Sequence, residues 1–320
     1  DRLTGTAAVI HVLSPNPLRL AWETHYVGHL RAINNDFLDT YQLKSQNAVI
    51  DATVDWIEKD NGRYQVQISY SHANGQRRLL SYDRVIACTG FRFDDSIFDD
   101  SCRPDTVFNG KYPAQTTSWE STNVPGLFMA GNLMHACDYK QTMSGFIHGF
   151  RHNIQTLSVL LEERYHGREW PHVSMAATPQ AILADVIDRI NRNSGLFLQP
   201  GFLADVVVVD ETSGQARYYQ EMRRDHLPDS FVGQEPHYYV VTLEYGPHRG
   251  DPFAIERDPA PEAAREAFYL HPIVRRYDRG QLVAEHHIND DLENEWFLPE
   301  YVEPAMAFFQ AQLTGDWARA

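Results

Sequence analysis

An α/β protein with mixed sheets is the fold class the sequence predicts, on three observations. "AAVIHVLSP" (7–15) is a continuous β-branched apolar run and reads as a strand of a parallel sheet, buried on both faces. Residues 48–87 alternate between apolar and polar and are punctuated by Asn-Gly turns, which predicts an antiparallel meander. Between 144 and 165 apolar residues recur at helical spacing, and a second set of strands follows.

The elements follow in order. After Pro15 the chain reads as a loop and a short helical stretch through residue 41. The strands "AVIDATVDWIEKD", "RYQVQISY" and "RRLLSYDRVIACTG" come next, the last ending in a buried strand from Arg84 to Cys88. Residues 94–125, rich in Asp, Ser, Thr, Asn and Pro, connect to a strand "GLFMA" and an elbow at Gly131-Asn132. The amphipathic helix runs from about Ser144 to Tyr165 and carries Phe146, Ile147, Phe150, Ile154, Leu157, Leu160 and Leu161 on one face. "HGREWPHVS" marks a boundary, after which Thr178-Pro179 offers an N-cap and a first-turn proline for a helix to about Asn193. Strands are expected at "FLADVVVVD", "ARYYQEM", "HYYVVTLEY" and "LVAEHHI", and helical stretches around 261–270 and 301–313.

Composition narrows the function. The 320 residues are 43% hydrophobic with a formal net charge of −15, which suits a folded protein and argues against a nucleic-acid binder. No apolar stretch approaches the roughly 20 residues needed to span a bilayer. Cys88, Cys102 and Cys137 form no CxxC pair, so they read as free thiols. A strand so soon after Asp1 predicts that the natural N-terminus, with any targeting signal, lies upstream.

The elbow carries the first chemical signal. A strand that delivers Gly131-Asn132 at its end lets backbone approach a ligand, and the Asn amide can bond hydroxyls. The helix that follows presents free N–H groups and a positive dipole end. Taken alone, a Gly-Asn after a strand is more often only a turn. Two further stretches point the same way: "YDRVIACTGF", which ends in Thr89-Gly90, and "TTSWESTNVPGLFMAGN", which leads into the elbow.

With "Tyr139-Lys140-Gln141-Thr142-Met143-Ser144-Gly145" these motifs, in this order, resemble the C-terminal half of flavoproteins with two dinucleotide-binding domains, the pyridine-nucleotide disulfide reductases and flavin-dependent monooxygenases. Asn132 stands where Asp is usual, Lys140 where Arg is usual, and Cys88 replaces a common Ala. A wider likeness, carried by "LRLAWETHYVGHLRAINNDFLDTYQLKS", "SGFIHGFRHNIQTLSVLLEERYHGREWP", "INRNSGLF" and "LADVVVV", is to the FAD-dependent oxidoreductase domain-containing protein 2 family.

That resemblance implies partial Rossmann-like FAD- and NAD(P)-binding domains with the meander, followed by a smaller α+β C-terminal domain. It assigns 1–93 to the rear of the NAD(P) domain, 94–170 to the returning half of the FAD domain, and 171–320 to a C-terminal domain of unassigned role. It implies that Thr89, Gly90, Gly131, Asn132, Gln141, Thr142, Ser144 and Gly145 contact FAD. The family's two GxGxxG loops would precede residue 7, so the segment present should bind neither cofactor tightly. Ser14, Asn16 and Arg19 would then face the adenine ribose of NAD or NADP. Arg19 suits a 2′-phosphate, and its plain alternative is a surface arginine beside a proline-stiffened loop. Animal members of the family reside in the endoplasmic reticulum lumen, whereas this chain ends in "WARA" without a KDEL-type signal and is expected in the cytoplasm.

Other tempting residues read plainly. His286-His287 beside Asp290 and Asp291 point to opposite strand faces and read as a solvated strand end, not a metal site. His135 and Cys137 lie beside the elbow, where contact with the expected flavin ring is the functional reading and a packed histidine the plainer one. His25 and His29 have no third ligand nearby. Gly145 and Gly149 form a GxxxG pattern that reads as close packing, since the helix is charged elsewhere. No Ser-His-Asp order or paired-carboxylate spacing defends a hydrolase.

The expected activity is an NAD(P)H-dependent, FAD-containing, monooxygenase-like oxidoreductase that acts on a small-molecule or thiol substrate. The alternatives are a disulfide reductase whose dithiol lies upstream, and a non-catalytic protein that uses its acidic C-terminal region to bind a partner. The chemistry belongs mostly to the cofactor, so no catalytic residue is named.

Overall fold

The computed structural model describes residues 6–16, 47–247 and 255–313. The chain divides into two compact units, Asp1–Phe91 and Arg92–Ala320.

The first unit is built on a four-stranded sheet of order β1-β2-β3-β4. β1 (Ile10–Ser14) runs parallel to β2 (Asn47–Asp60), in register from Ile10 opposite Asn47 to Ser14 opposite Asp51. β3 (Arg63–Tyr70) and β4 (Arg77–Tyr82) complete the antiparallel meander. The β2–β3 turn is Asn61-Gly62, both at positive φ (48° and 83°), the two-residue turn whose twist matches the strands it joins. A small core gathers Ala52, Val66 and Ile68 against Leu13, Ile50 and Tyr82.

Two expectations fail here. β1 is half-buried, not covered on both faces. Its described neighbour in the sheet is β2 alone, and a parallel strand is enclosed only when strands and helices flank it on all sides. Residues 84–88 form no strand among the described residues and are exposed, Ile86 to 68%. Apolar content alone did not supply the ladder partner that a strand requires.

The second unit holds an antiparallel sheet of order β12-β11-β10-β8-β9-β7. Its strands are β7 (His172–Ala176), β8 (Leu203–Asp210), β9 (Gln215–Arg223), β10 (His237–Glu244), β11 (His271–Asp278) and β12 (Gln281–His287). A short pair, β5 (Thr106–Val107) and β6 (Tyr112–Pro113), lies in the connecting segment. Both faces of the central strand β8 are covered. Val207 and Val209 pack with Ile182, Leu183 and Val186 of α2 (Pro179–Arg192) and Phe309 of α4 (Pro299–Gln312). Val206 and Val208 face Leu160 of α1 (Ile147–His166), together with Trp170 and Val232. Each fully buried valine contributes about 1.5–3 kcal/mol, so this strand anchors both layers. Residues 94–170 and 171–320 thus lie in one unit, the helix of the former seated on the sheet of the latter.

α2 begins as its sequence predicts: the Thr178 hydroxyl accepts the Ala181 N–H at 3.2 Å, with Pro179 in the first turn. The stretch expected as helical around 261–270 is a short 3-10 turn, Pro261–Glu266. β7 and β11 were not anticipated. "HPIVRRYD" looks too polar for an inner strand, but Arg275 is paired to Glu244 at 2.5 Å and to Glu285 at 2.7 Å on the strands beside it. Burial works against ionisation of Glu244, and the Arg275 partner outweighs it, holding the carboxyl below its ordinary range.

The β8–β9 register slips between Ala204 and Val206, making a bulge opposite Asp205. Asp205 is fully buried and accepts from Arg189 Nε (2.7 Å) and Nη2 (3.1 Å), from the Glu221 N–H (2.9 Å) and from the Tyr218 hydroxyl (3.1 Å). Burial pushes the Asp205 carboxyl up, and these four donors pull it back. Asp205→Ala takes the acceptor from the largely buried Arg189, the Glu221 N–H and the Tyr218 hydroxyl at once, and the expected loss is about 3–5 kcal/mol in denaturant unfolding.

Candidate functional site

The elbow is a tighter device than a strand end. "GLFMA" reduces to an isolated bridge, Glu120 to Phe128, with the Met129 N–H bonded to the Trp119 carbonyl. The expected loop after Ala130 is a 3-10 helix, Gly131–Asp138. Its first residue takes φ 68°, a left-handed conformation that costs glycine little, and nothing lies within 4 Å of where a Cβ would stand. Asn132 and Gln141 are exposed and Gly145 half-buried.

Thr142 and Ser144 behave otherwise. Both are buried, with their side chains turned inward. The Thr142 hydroxyl lies within hydrogen-bond reach of both Asp138 and Gln199 and shares its one proton between them. Ser144 accepts from Asn153 Nδ2 at 2.8 Å and from Gln199 Nε2 at 3.1 Å, and Gln199 also donates to Asn153 at 3.0 Å. Desolvated hydroxyls need partners, and this network supplies them from α1 and from the loop before β8. Asn153 and Gln199 were missed in the sequence; the one signal available was an amide side chain set inside the apolar stripe of α1.

The network fixes the approach to α1. That helix starts at Ile147, its N-cap Phe146 makes no side-chain capping bond, and Ile147 is 71% exposed. The first-turn N–H groups therefore lack a side-chain cap. Gly149 packs on the backbone of Met143, where a Cβ would collide with the carbonyl. The GxxxG pattern serves this internal contact.

His135 is packed, as expected, with its ring 5.7 Å from Tyr112 and 5.4 Å from Tyr139, and its Nε2 accepts the Lys140 N–H at 3.3 Å. Burial pushes the Cys137 thiol up, which makes it a poor nucleophile. In the first unit, the Ser14 hydroxyl bonds the Asn16 carbonyl at 2.6 Å, and Thr89 and Gly90 are exposed beyond β4. The structure thus gathers Gly131, Asn132, Gln141, Thr142, Ser144 and Gly145 in one unit and Ser14, Asn16, Thr89 and Gly90 in the other. Arg19, His25 and His29 lie outside the described residues.

His286 and His287 do point to opposite faces, but neither is a solvated end. His286 stacks on Phe308 at 5.3 Å, and His287 bridges His271 and Glu285, each at 2.9 Å. Among the described residues no cluster of His, Cys, Asp or Glu is arranged to hold a metal ion, and no helix is long and apolar enough to cross a membrane.

Residues 2–131 match the model of the family described as pyridine nucleotide-disulphide oxidoreductase, a match that ends on the elbow glycine. Over 364 residues the chain is 31% identical to mouse FAD-dependent oxidoreductase domain-containing protein 2, an alignment that covers 99% of this chain and 54% of the mouse protein. The zebrafish protein of the same name is 30% identical over 381 residues, covering 98% of this chain and 55% of its own length. The chain belongs to the FAD-dependent oxidoreductase domain-containing protein 2 family and spans about half the length of these relatives.

Two measurements probe the site's framework. Gln199→Leu strips the inward network of its shared partner and is expected to cost about 1–3 kcal/mol in thermal or denaturant unfolding. Burial, and secondarily the charge of His287, lowers the His286 pKa from 6.5 to about 4. The unfolded chain therefore takes up a proton that the folded chain excludes, and stability falls as pH drops from about 6.5 to about 4. His286→Phe keeps the stacking on Phe308 and should flatten that part of a Tm-against-pH profile.

Proposed function

We propose that this chain forms part of an FAD-containing oxidoreductase that takes hydride from NADH or NADPH. The observation that carries this reading is Gly131: left-handed, open on its Cβ side, next to exposed Asn132, and followed by the uncapped start of α1. This donor set fits a nucleotide, since backbone can approach a phosphate or ribityl chain closely, the Asn amide bonds hydroxyls, and helix N–H groups favour negative charge. Bound FAD would supply the relay of electrons from the nicotinamide to oxygen or another acceptor.

The chain's own residues hold and orient. Gly131, Asn132 and Gln141 offer contacts to the flavin nucleotide, and Thr142 and Ser144 hold the loop through Asp138, Asn153 and Gln199. In the first unit, taken by itself, Ser14 and Asn16 close the β1 end on the nicotinamide nucleotide's ribose side. Residues 1–93 then serve as the rear of the NAD(P) domain and 94–170 as the returning half of the FAD domain. The printed names of the mouse and zebrafish relatives support the flavin part of this reading. The inward turn of Thr142 and Ser144 favours a second reading, in which the fold binds a partner without catalysis.

Colour separates the two. The full-length protein should purify with the absorption of oxidised flavin and bleach anaerobically on adding NADPH or NADH; a colourless protein that FAD cannot reconstitute supports the second reading. Gly131→Val forces a β-branched residue to positive φ at a cost of about 1–3 kcal/mol. It should weaken flavin retention by about tenfold or more, measured as flavin per protein after gel filtration.

A further inference from the structure

Away from the elbow, a serine, a histidine and a carboxylate from three separate elements converge. Ser194 opens the short helix α3 (Ser194–Leu198) and is exposed. Its hydroxyl lies 3.3 Å from Nε2 of His152, a buried residue of α1. The other ring nitrogen, Nδ1, faces Glu221 Oε2 at 3.1 Å. Arg151 Nε also reaches His152 Nε2, at 3.4 Å. A guanidinium only donates, so Nε2 presents its one lone pair, which the Arg151 N–H and the Ser194 hydroxyl share at long range, and the ring proton sits on Nδ1, toward Glu221. A general base beside a nucleophilic hydroxyl needs that tautomer.

Glu221 is placed with care. It lies in the β8–β9 bulge at φ 52°, a strained conformation for a residue with a side chain, and its N–H is held by Asp205. Asn193 Nδ2 donates to its carboxylate at 2.6 Å, and Arg189 stands 3.7 Å away. Burial works against its charge, but the bonds from His152 and Asn193 outweigh it and keep the carboxyl below its ordinary range. Gly195 makes the room, since a Cβ there would stand 2.6 Å from the Glu221 carboxyl carbon. A serine in this position often serves only as a helix cap, but the cap of α3 is Asn193, whose Oδ1 accepts the Leu196 N–H at 2.7 Å. The Ser194 hydroxyl is left to His152.

We propose that Ser194 and His152, positioned by Glu221, hydrolyse carboxylic esters, with the exposed Arg151 guanidinium facing the oxyanion that develops on the substrate carbonyl. Ser194 Oγ bonds to the carbonyl carbon as its proton passes to His152 Nε2. The bond from that carbon to the alcohol oxygen breaks, and the departing oxygen takes the proton from Nε2. Water then adds to the acyl-serine through the same base, the carboxylic acid leaves, and Oγ regains its proton. No electrons change hands, so this activity does not rest on the flavin reading.

The test treats the full-length protein with a tagged fluorophosphonate, maps the adduct by mass spectrometry, and follows p-nitrophenyl acetate hydrolysis in parallel. The expected adduct is on Ser194, and Ser194→Ala abolishes both adduct and hydrolysis. His152→Gln should slow labelling by about 10²–10⁴-fold. Arg151→Ala should slow ester hydrolysis by up to about 10²-fold. Glu221→Gln should move the pH profile of labelling to lower pH, because the imidazolium formed in the step loses its carboxylate; a merely structural role would leave the profile in place. Absence of an adduct on Ser194, or hydrolysis unchanged in Ser194→Ala, overturns the proposal. Ser194 is exposed and caps nothing, so that variant is decisive even where His152→Gln does not fold.

Discussion

The bidentate pair between Arg189 and Asp205 is the constraint on which much of the second unit depends. It ties α2 to the central strand β8 and satisfies the Asp205 carboxylate in a place without water. One oxygen of Asp205 also takes the backbone N–H of Glu221, which stabilises the bulge that turns Glu221 toward His152. An apolar pair of similar volume often packs as well or better, but it would offer nothing to the bulge's amide. The charge pair thus sets geometry more than it adds stability.

The organisation of the elbow follows a related logic. Its polar side chains divide into two groups by burial: Asp138, Thr142, Ser144, Asn153 and Gln199 bond one another inside, while Asn132 and Gln141 remain outside with the backbone of Gly131. The inner group keeps the outer one in a single arrangement, so a ligand would meet a surface already ordered and would pay little to organise it. Gly149 enforces the same order from below by letting α1 close on Met143.

Much of this was legible in the sequence wherever a local rule dominates. The Asn61-Gly62 turn, the Thr178-Pro179 helix start and the four-valine run of β8 each follow from one residue's steric or apolar preference. β11 was hidden because Arg275 and Arg276 look like surface residues until Glu244 and Glu285 arrive from neighbouring strands. Residues 84–88 erred in the other direction, since an apolar run states a wish for cover without naming what supplies it. The inward hydrogen bonding of Thr142 and Ser144 was not legible, because the sequence does not reveal that Gln199, 57 residues beyond Thr142, bonds them. The grouping of Ser194, His152 and Glu221 left no trace at all: their order along the chain matches no familiar motif, and only the bulge brings the carboxylate into line.

The open ends of the six-stranded sheet carry a consequence of their own. Among the described residues β12 forms one rim, and its Leu282 and Val283 are about half exposed there. Such a margin is a template on which a foreign strand can crystallise into fibre-like order. The irregular register between Arg276 and Tyr277 twists that margin, and the ionised Glu285 with Arg265 near it makes a flat second layer costly. That edge of the sheet is therefore guarded against strand pairing by a kink and a few charges.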